Sequence, residues 1–125
     1  MFVKYNSNPA KKSVGDCVVR ALTVVFDDSW ENIYADLTMV GRFMYDMPNS
    51  NSVWTKYLKM NGFGYGNLPD TCPDCYTIRE FAQDHPDGIY VVATGSHVVA
   101  VVDGNYYDTS DSGNEVPVFY FRKEN

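Results

Sequence analysis

The chain has 125 residues, and its 16 acidic and 10 basic side chains give a formal net charge of −6. This length fits a single domain, residues 1–125, which can bury a core without additional cross-links. The composition, 45% hydrophobic and 15% aromatic, is typical of a globular protein rather than a disordered chain. The acidic balance argues against nucleic acid as a partner, because affinity for a phosphate backbone comes from clustered Lys and Arg.

Membrane and export patterns are not evident in the sequence. No stretch approaches the ~20 consecutive apolar residues of a membrane span. The apolar run 18–26 has the length of a signal core, but Asp16 and Arg20 lie beside or within it and no small-residue cleavage pattern follows. We therefore expect a cytoplasmic protein without a membrane partner, whose three cysteines are reduced rather than paired in a disulfide framework.

Three helices are predicted in the first half of the chain, after an irregular or extended arm at residues 1–12. The first follows a turn at Asp16, whose carboxylate is the predicted N-cap. The second begins at Asp28 or Ser29, and the third spans residues 53–60. Apolar residues at helical spacing support the first two helices, namely Val18, Val19, Leu22, Val25, Phe26, Trp30, Ile33, Tyr34, Leu37 and Val40.

The second half predicts a short helix followed by a sheet. Residues 61–75 form a connection rich in glycine and proline. Thr77 begins a helix with Glu80 in the capping-box position, and Pro86 ends it. Four β-rich runs separated by turn sequences then predict an antiparallel meander, at residues 89–93, 97–103, 106–109 and 116–121. Helices first and strands last indicate an α+β domain.

Cys17 is a candidate for chemistry because it lies at the predicted start of the first helix. The unpaired N–H groups and the positive end of the helix dipole stabilise a thiolate at that position. The alternative is a buried structural cysteine, which is the commoner role of this residue. Position alone favours the structural cysteine, so the choice depends on whether the chain supplies a partner for a thiolate.

A nucleophilic cysteine needs a base, and the chain has two histidines. His97 opens an apolar strand, which places its imidazole near the end of the predicted sheet. His85 stands at a helix C-terminus beside Pro86, where it is most simply a capping residue. His97 is therefore the predicted base.

The turn that follows the strand of His97 predicts a third member of the site. A two-residue hairpin at Asp103-Gly104 places Asp108 opposite Val99. Side chains alternate along a strand, so Asp108 becomes a diagonal neighbour of His97 and can fix the tautomer of its imidazole. A three-residue loop would instead bring Asp111 opposite His97, and Asp111 is the reserve candidate.

The blocks "GDCVVRAL" and "GSHVVAVVDGNYYDTSDSG" resemble the small papain-like cysteine peptidases that tailed phages and bacterial mobile elements encode, distant relatives of the bacteriocin-leader peptidases. The resemblance implies a papain-like α+β fold in which N-terminal helices pack on a C-terminal antiparallel sheet. It also implies a nucleophilic Cys at the start of the first core helix, then a His and an Asp or Asn on successive strands. Cys17, His97 and Asp108 match that order. If the protein is phage-encoded, its expected location is the host cell cytoplasm.

The sequence departs from the papain-like pattern upstream of Cys17. The family has a Gln a few residues before the nucleophile, which helps to bind the oxyanion, and this sequence has none there. Asn8 or Asn6 could supply the amide donor, together with the backbone N–H of Cys17. The alternative for Asn8 is a turn residue before Pro9.

Two further motifs carry weaker predictions. "CPDC", at residues 72–75, has the spacing of half a zinc site, but only distant residues such as His85 could complete it. A loop with two free thiols is the favoured interpretation, and we expect no metal or other cofactor. "GFGYG", at residues 62–66, lacks the lysine of a phosphate-binding loop. It is interpreted either as a flexible aromatic loop bordering a peptide groove or as an ordinary connector.

The favoured function is that of a thiol hydrolase which cleaves a peptide, isopeptide or amide bond in a peptide or protein substrate. Cys17 attacks the carbonyl, His97 acts first as base and then as acid, and Asp108 orients His97. The alternative is a catalytically inactive papain-like binding or inhibitor module of phage origin. The sequence leaves the substrate and the oligomeric state open.

Overall fold

The computed structural model describes residues 1–124, which form four helices and a six-stranded mixed sheet. The α+β class is therefore as predicted. The helices are α1 (Cys17–Phe26), α2 (Trp30–Met44), α3 (Asn51–Met60) and α4 (Ile78–Asp84). The strands are β1 (Phe2–Lys4), β2 (Phe63–Asn67), β3 (Ile89–Ala93), β4 (Val98–Val102), β5 (Asn105–Asp108) and β6 (Phe119–Lys123).

Local capping explains where two of the helices begin. The Ser29 hydroxyl accepts a hydrogen bond from the Asn32 N–H at the start of α2. Thr77 and Glu80 form the predicted capping box at the start of α4. The prediction for α1 is wrong, because Asp16 occupies the N-cap position but its side chain makes no capping hydrogen bond. Its carboxylate is bound to other side chains instead.

The strands are ordered β1-β5-β4-β3-β6-β2, and β1 runs parallel to β5 while the other pairs are antiparallel. The predicted meander is correct for β3, β4 and β5. It is wrong for β6, which returns to pair with β3 rather than with β5. Two segments without a predicted strand form the sheet edges: β1 lies within the N-terminal arm, and β2 lies within the glycine-rich connection.

The glycines of β2 have a packing reason. A Cβ atom on Gly66 would collide with the ring of Tyr120 on the neighbouring strand β6. The missing side chain thus lets an aromatic ring lie across the backbone of β2, a recurrent reason for glycine in a strand. The "GFGYG" segment is consequently part of the sheet and not a flexible loop.

The sheet is buried on both faces, which explains why β3 and β4 are continuous apolar runs. One face packs against α1, α2 and α3 through residues that include Val91, Ala93, Val98, Ala100 and Phe121. The opposite face packs against α4 through residues that include Tyr90, Val92, Val99, Val101 and Tyr106. Helix α1 packs on β4, and its first residue, Cys17, lines one cleft with Val98 at the start of β4, so the two elements begin at the same end of the sheet.

The cysteines differ from the predicted set of three reduced thiols. Cys72 and Cys75 form a disulfide, and Cys17 is the one free cysteine among residues 1–124. The intervening turn brings the two Cα atoms to 4.1 Å, close enough for their sulfur atoms to meet. Sulfur atoms joined in this way are not available as zinc thiolates.

Within residues 1–124, none of the four helices combines the length and the apolar character that crossing a membrane requires.

Candidate active site

Cys17 is the first residue of α1, and its side chain is half-buried at the helix N-terminus. The imidazole of His97 and the backbone N–H of Val98 stabilise the ionised form of this thiol, and Cys17, His97 and Val98 line the same cleft. Its own backbone N–H is one of the first-turn amides that have no acceptor within the helix. The site therefore combines a sulfur atom, an imidazole and an available amide donor.

His97 and Asp108 meet at the same end of the sheet, because His97 precedes β4 and Asp108 ends β5. Their side chains form a hydrogen bond of 2.6 Å between Nε2 and Oδ2. The two-residue hairpin between the strands is confirmed by its register and by positive φ angles at Asp103 and Gly104, 49° and 80°. Since Nε2 is occupied by Asp108, Nδ1 is the ring nitrogen left to face Cys17.

Asp108 is held on both carboxylate oxygens. Its side chain is 5% exposed, and Oδ1 accepts a hydrogen bond of 2.7 Å from the Thr109 N–H. The guanidinium of Arg20 lies 3.8 Å from the same oxygen. With both oxygens engaged, the carboxylate has little freedom to rotate away from His97.

Cys17, His97 and Asp108 each shift the pKa of a neighbour in the direction that favours its charged form. Burial raises the pKa of the Cys17 thiol, but the hydrogen bonds from His97 and Val98 outweigh it and leave the pKa below its ordinary value. The hydrogen bond to Asp108, followed by that to Cys17, raises the pKa of His97 to about 10. Burial also opposes the charge of Asp108, yet the hydrogen bond from His97 keeps the pKa of this carboxyl below its usual value. These directions favour a thiolate beside an imidazolium at neutral pH.

Asp111, the reserve orienting residue, lies elsewhere. Its Oδ1 accepts hydrogen bonds from the Tyr106 hydroxyl at 2.7 Å and from the Gly113 N–H at 2.9 Å. Arg79 lies 3.6 Å from the same oxygen. The two-residue hairpin is the reason, because only a longer loop would have turned Asp111 toward His97.

His85 occupies the end of α4, as its helix-terminal position predicts. Its Nδ1 lies 2.7 Å from the carbonyl oxygen of Phe81, and its ring stacks on the ring of the same residue. The imidazole is thereby committed to the helix end, away from Cys17.

Asn8, the predicted oxyanion donor, is buried in a local network instead of lining the cleft of Cys17. Its Nδ2 lies 3.4 Å from Oδ2 of Asp16, and its Oδ1 accepts a hydrogen bond from the Ala10 N–H. The Nδ2 of Asn6, the other candidate, lies 3.5 Å from the carbonyl oxygen of Lys12. Both amides are thus engaged within the N-terminal segment.

A cleft of about 250 Å³ surrounds Cys17 and His97, and two asparagines line it: Asn49 from the segment joining α2 to α3, and Asn51 from the start of α3. The Oδ1 of Asn51 accepts a hydrogen bond of 2.9 Å from the indole of Trp54, which fixes the side chain and leaves its Nδ2 group as a donor. Asn49 is exposed at the cleft. Neither asparagine stands out in the sequence, because "MPNSNS" has the composition of an ordinary loop and both residues lie more than 30 positions after Cys17.

Among residues 1–124, no cluster of three or more His, Cys, Asp and Glu side chains is arranged to hold a metal ion. No protein-family model, curated protein or solved structure matches this chain.

Proposed function

We propose that the protein is a papain-like cysteine hydrolase that cleaves peptide, isopeptide or amide bonds in a peptide or protein substrate. The observation that carries the proposal is the 2.6 Å hydrogen bond between His97 and Asp108, next to the Cys17 thiol that shares a cleft with His97. The thiol lies at a helix N-terminus, where a thiolate is stabilised. Cys17 begins α1, His97 immediately precedes β4 and Asp108 ends β5, an order that supports the papain-like resemblance.

The first half-reaction follows from the proton positions. The Cys17 thiolate attacks the substrate carbonyl carbon, so a C–S bond forms and the carbonyl oxygen becomes an oxyanion. His97 then donates its Nδ1 proton to the leaving nitrogen as the C–N bond breaks, and an amine departs. The acyl group remains on sulfur as a thioester, while neutral His97 keeps its hydrogen bond to Asp108.

In the second half-reaction, neutral His97 takes a proton from water through Nδ1. The resulting hydroxide equivalent attacks the thioester carbon, the C–S bond breaks, and a carboxylic acid is released. The products are an amine and a carboxylate, and the thiolate–imidazolium pair is regenerated. This sequence needs no co-reactant except water.

The oxyanion needs two donors, and the residues at the cleft supply two candidates. One is the backbone N–H of Cys17, which has no acceptor within α1. The other is the Nδ2 group of Asn51, since the opposite end of this amide is held by Trp54. Preorganised donors of this kind lower the barrier without reorganising during the reaction. Asn51 would thus do the work that a Gln does in the papain-like pattern.

The experiment that tests the proposal measures the alkylation of Cys17 by iodoacetamide from about pH 5 to about pH 9, the range in which paired thiols titrate. Labelled protein is digested, and the modified cysteine is identified by mass spectrometry. We expect Cys17 to react well below the ordinary thiol pKa, and His97→Ala to move the rate profile to higher pH. Superimposable profiles for the wild type and His97→Ala would refute the pairing.

A catalytically inactive binding or inhibitor module is the second candidate function. It is favoured by the missing Gln and by the engagement of Asn8 with Asp16, which leave the second oxyanion donor to an asparagine from another segment. Single-turnover kinetics with a thioester substrate separate the two functions. An acylated Cys17 that forms and then hydrolyses supports the hydrolase, whereas no acylation of a reactive thiol supports the module.

A further inference from the structure

A second cavity of about 250 Å³ lies beside the catalytic cleft, between α1, α2 and the segment that joins α2 to α3. Gly15 and Asn49 line both this cavity and the cleft that contains Cys17. Gly15 is only two residues before the nucleophile. The cavity therefore adjoins the place where a substrate carbonyl would lie over Cys17.

The lining is apolar and aromatic. Val19 and Leu37 contribute aliphatic surface from α1 and α2, and Met47 contributes a thioether from the segment after α2. The rings of Trp30 and Tyr34 stack with centroids 5.0 Å apart and an interplanar angle of 16°, which gives one wall a flat aromatic surface. Such a lining favours a side chain without charge or exposed polar groups.

Asp16 is the only charged residue among the described residues that line the cavity, and its charge is already matched. Its Oδ1 pairs with Arg20, while Oδ2 accepts a hydrogen bond of 2.9 Å from the indole of Trp30 and lies 3.4 Å from the amide nitrogen of Asn8. A cationic substrate group thus finds no unpaired carboxylate, and an anionic group finds no free cation. The same contacts hold the Trp30 indole in place as part of the wall.

The volume decides how large an occupant can be. A cavity of about 150 Å³ lined by apolar side chains accommodates benzene. A cavity of about 250 Å³ has room for one larger group, such as a leucyl, methionyl or phenylalanyl side chain. We propose that this cavity is a specificity subsite, which takes one large apolar side chain of the peptide substrate close to the scissile bond. The inference rests on the proposed hydrolase function and adds the chemical class of its substrate.

The test uses quenched fluorescent peptides that differ at one position at a time on either side of the cleaved bond. At the position that enters the subsite, we expect peptides with Leu, Met or Phe to have a kcat/KM about 10-fold or more higher than the peptide with Ala. The reason is that each buried methylene contributes about 10-fold or more to the discrimination between substrates. Asp and Lys at that position should be cleaved more slowly than Ala. Equal rates for Leu, Ala and Lys at every position would overturn the inference.

Two exposed lining residues give variants that spare the core. Met47 and Tyr34 are 66% and 48% exposed, so Met47→Asp and Tyr34→Ala should fold normally. Both should reduce the preference for large apolar side chains toward the rate for Ala. Met39 and Tyr45 are also exposed, at 63% and 98%, but do not line the cavity. Met39→Asp and Tyr45→Ala are the matched controls, which should keep the wild-type preference.

Alkylation of Cys17 by iodoacetamide separates failure of the subsite from failure of the hydrolase. Suppose that Cys17 is alkylated normally and the Ala peptide is cleaved normally in the wild type. If Met47→Asp then shows the same side-chain preference as Met39→Asp, the subsite alone is overturned. An unreactive Cys17 in a wild type that cleaves none of the peptides would overturn the proposed function, and the subsite with it.

Discussion

Replacing Asp108 with Asn tests the hydrogen bond between Asp108 and His97 with little change in side-chain shape. In the wild type, Oδ2 accepts the hydrogen bond from His97 at 2.6 Å, while Oδ1 accepts from the Thr109 N–H at 2.7 Å. An amide has only one oxygen to serve both donors. If that oxygen stays on Thr109, an NH₂ group faces Nε2 of His97, and the imidazole loses the acceptor that holds its proton.

The size of the effect follows from the charge that is lost. A hydrogen bond to a charged group contributes about 1.5–3 kcal/mol, and one pKa unit corresponds to about 1.4 kcal/mol. The pKa of His97, which Asp108 and Cys17 together raise to about 10, should therefore fall by about one to two units in Asp108→Asn. The Cys17 thiolate then loses part of its partner's charge, so its pKa rises.

The assay is the pH dependence of Cys17 alkylation, combined with peptide hydrolysis. In Asp108→Asn we expect half-maximal alkylation about one pH unit higher than in the wild type, and a kcat lower by about 10²- to 10⁴-fold. Asp111→Asn is the matched control, because Asp111 bonds Tyr106 and does not contact His97. The reasoning is refuted if Asp108→Asn keeps the wild-type profile, or if Asp111→Asn shifts it equally.

Three further predictions address the oxyanion donor, the edge strand and the pH dependence of stability. Asn51→Asp keeps an oxygen acceptor for Trp54 but removes the Nδ2 donor. Peptide-hydrolysis assays should therefore show kcat reduced by about 10²- to 10³-fold, while calorimetry shows an unchanged melting temperature. Gly66→Ala forces a Cβ against the ring of Tyr120; urea titration should show a loss of about 1–3 kcal/mol with normal thiol reactivity. The pKa of His97 is about 10 in the folded protein and about 6.5 in the unfolded chain. Protonated His97 therefore stabilises the folded state fully below about pH 6.5, and this stabilisation is lost as the pH rises through about 10. The melting temperatures of the wild type and His97→Gln should thus converge at alkaline pH. A difference in melting temperature that grows from neutral to alkaline pH would contradict this prediction.

Much of the candidate site was predictable because its geometry depends on local rules. The left-handed turn at Asp103-Gly104 fixes a two-residue hairpin, and alternation along β4 and β5 then sets Asp108 beside His97. The placement of Cys17 followed from the turn before it and from the apolar periodicity of α1. Each inference used residues within one hairpin or one helix.

The features that were missed depend on contacts between distant segments. Asp16 has the residue type and position of an N-cap, but Trp30 and Arg20 compete for its carboxylate once α2 packs beside α1. Asn51 lines the cleft because the start of α3 lies beside Cys17 and His97, a placement that loop composition does not encode. The spacing of Cys72 and Cys75 suits a metal or a disulfide equally, so spacing alone could not choose between them.

The parallel pairing of β1 with β5 has a consequence for any work on the N-terminus of this protein. Lys4 is the register partner of Asp108, and the Tyr5 N–H donates a hydrogen bond of 2.8 Å to the Asp108 carbonyl. Strand β1 therefore pairs with the outer edge of β5 and holds in place the strand that ends at Asp108. Trimming the first few residues would leave that strand as an open, fraying edge, and in a protein shortened in this way Asp108 would lose its alignment with His97 while Cys17 remained in place.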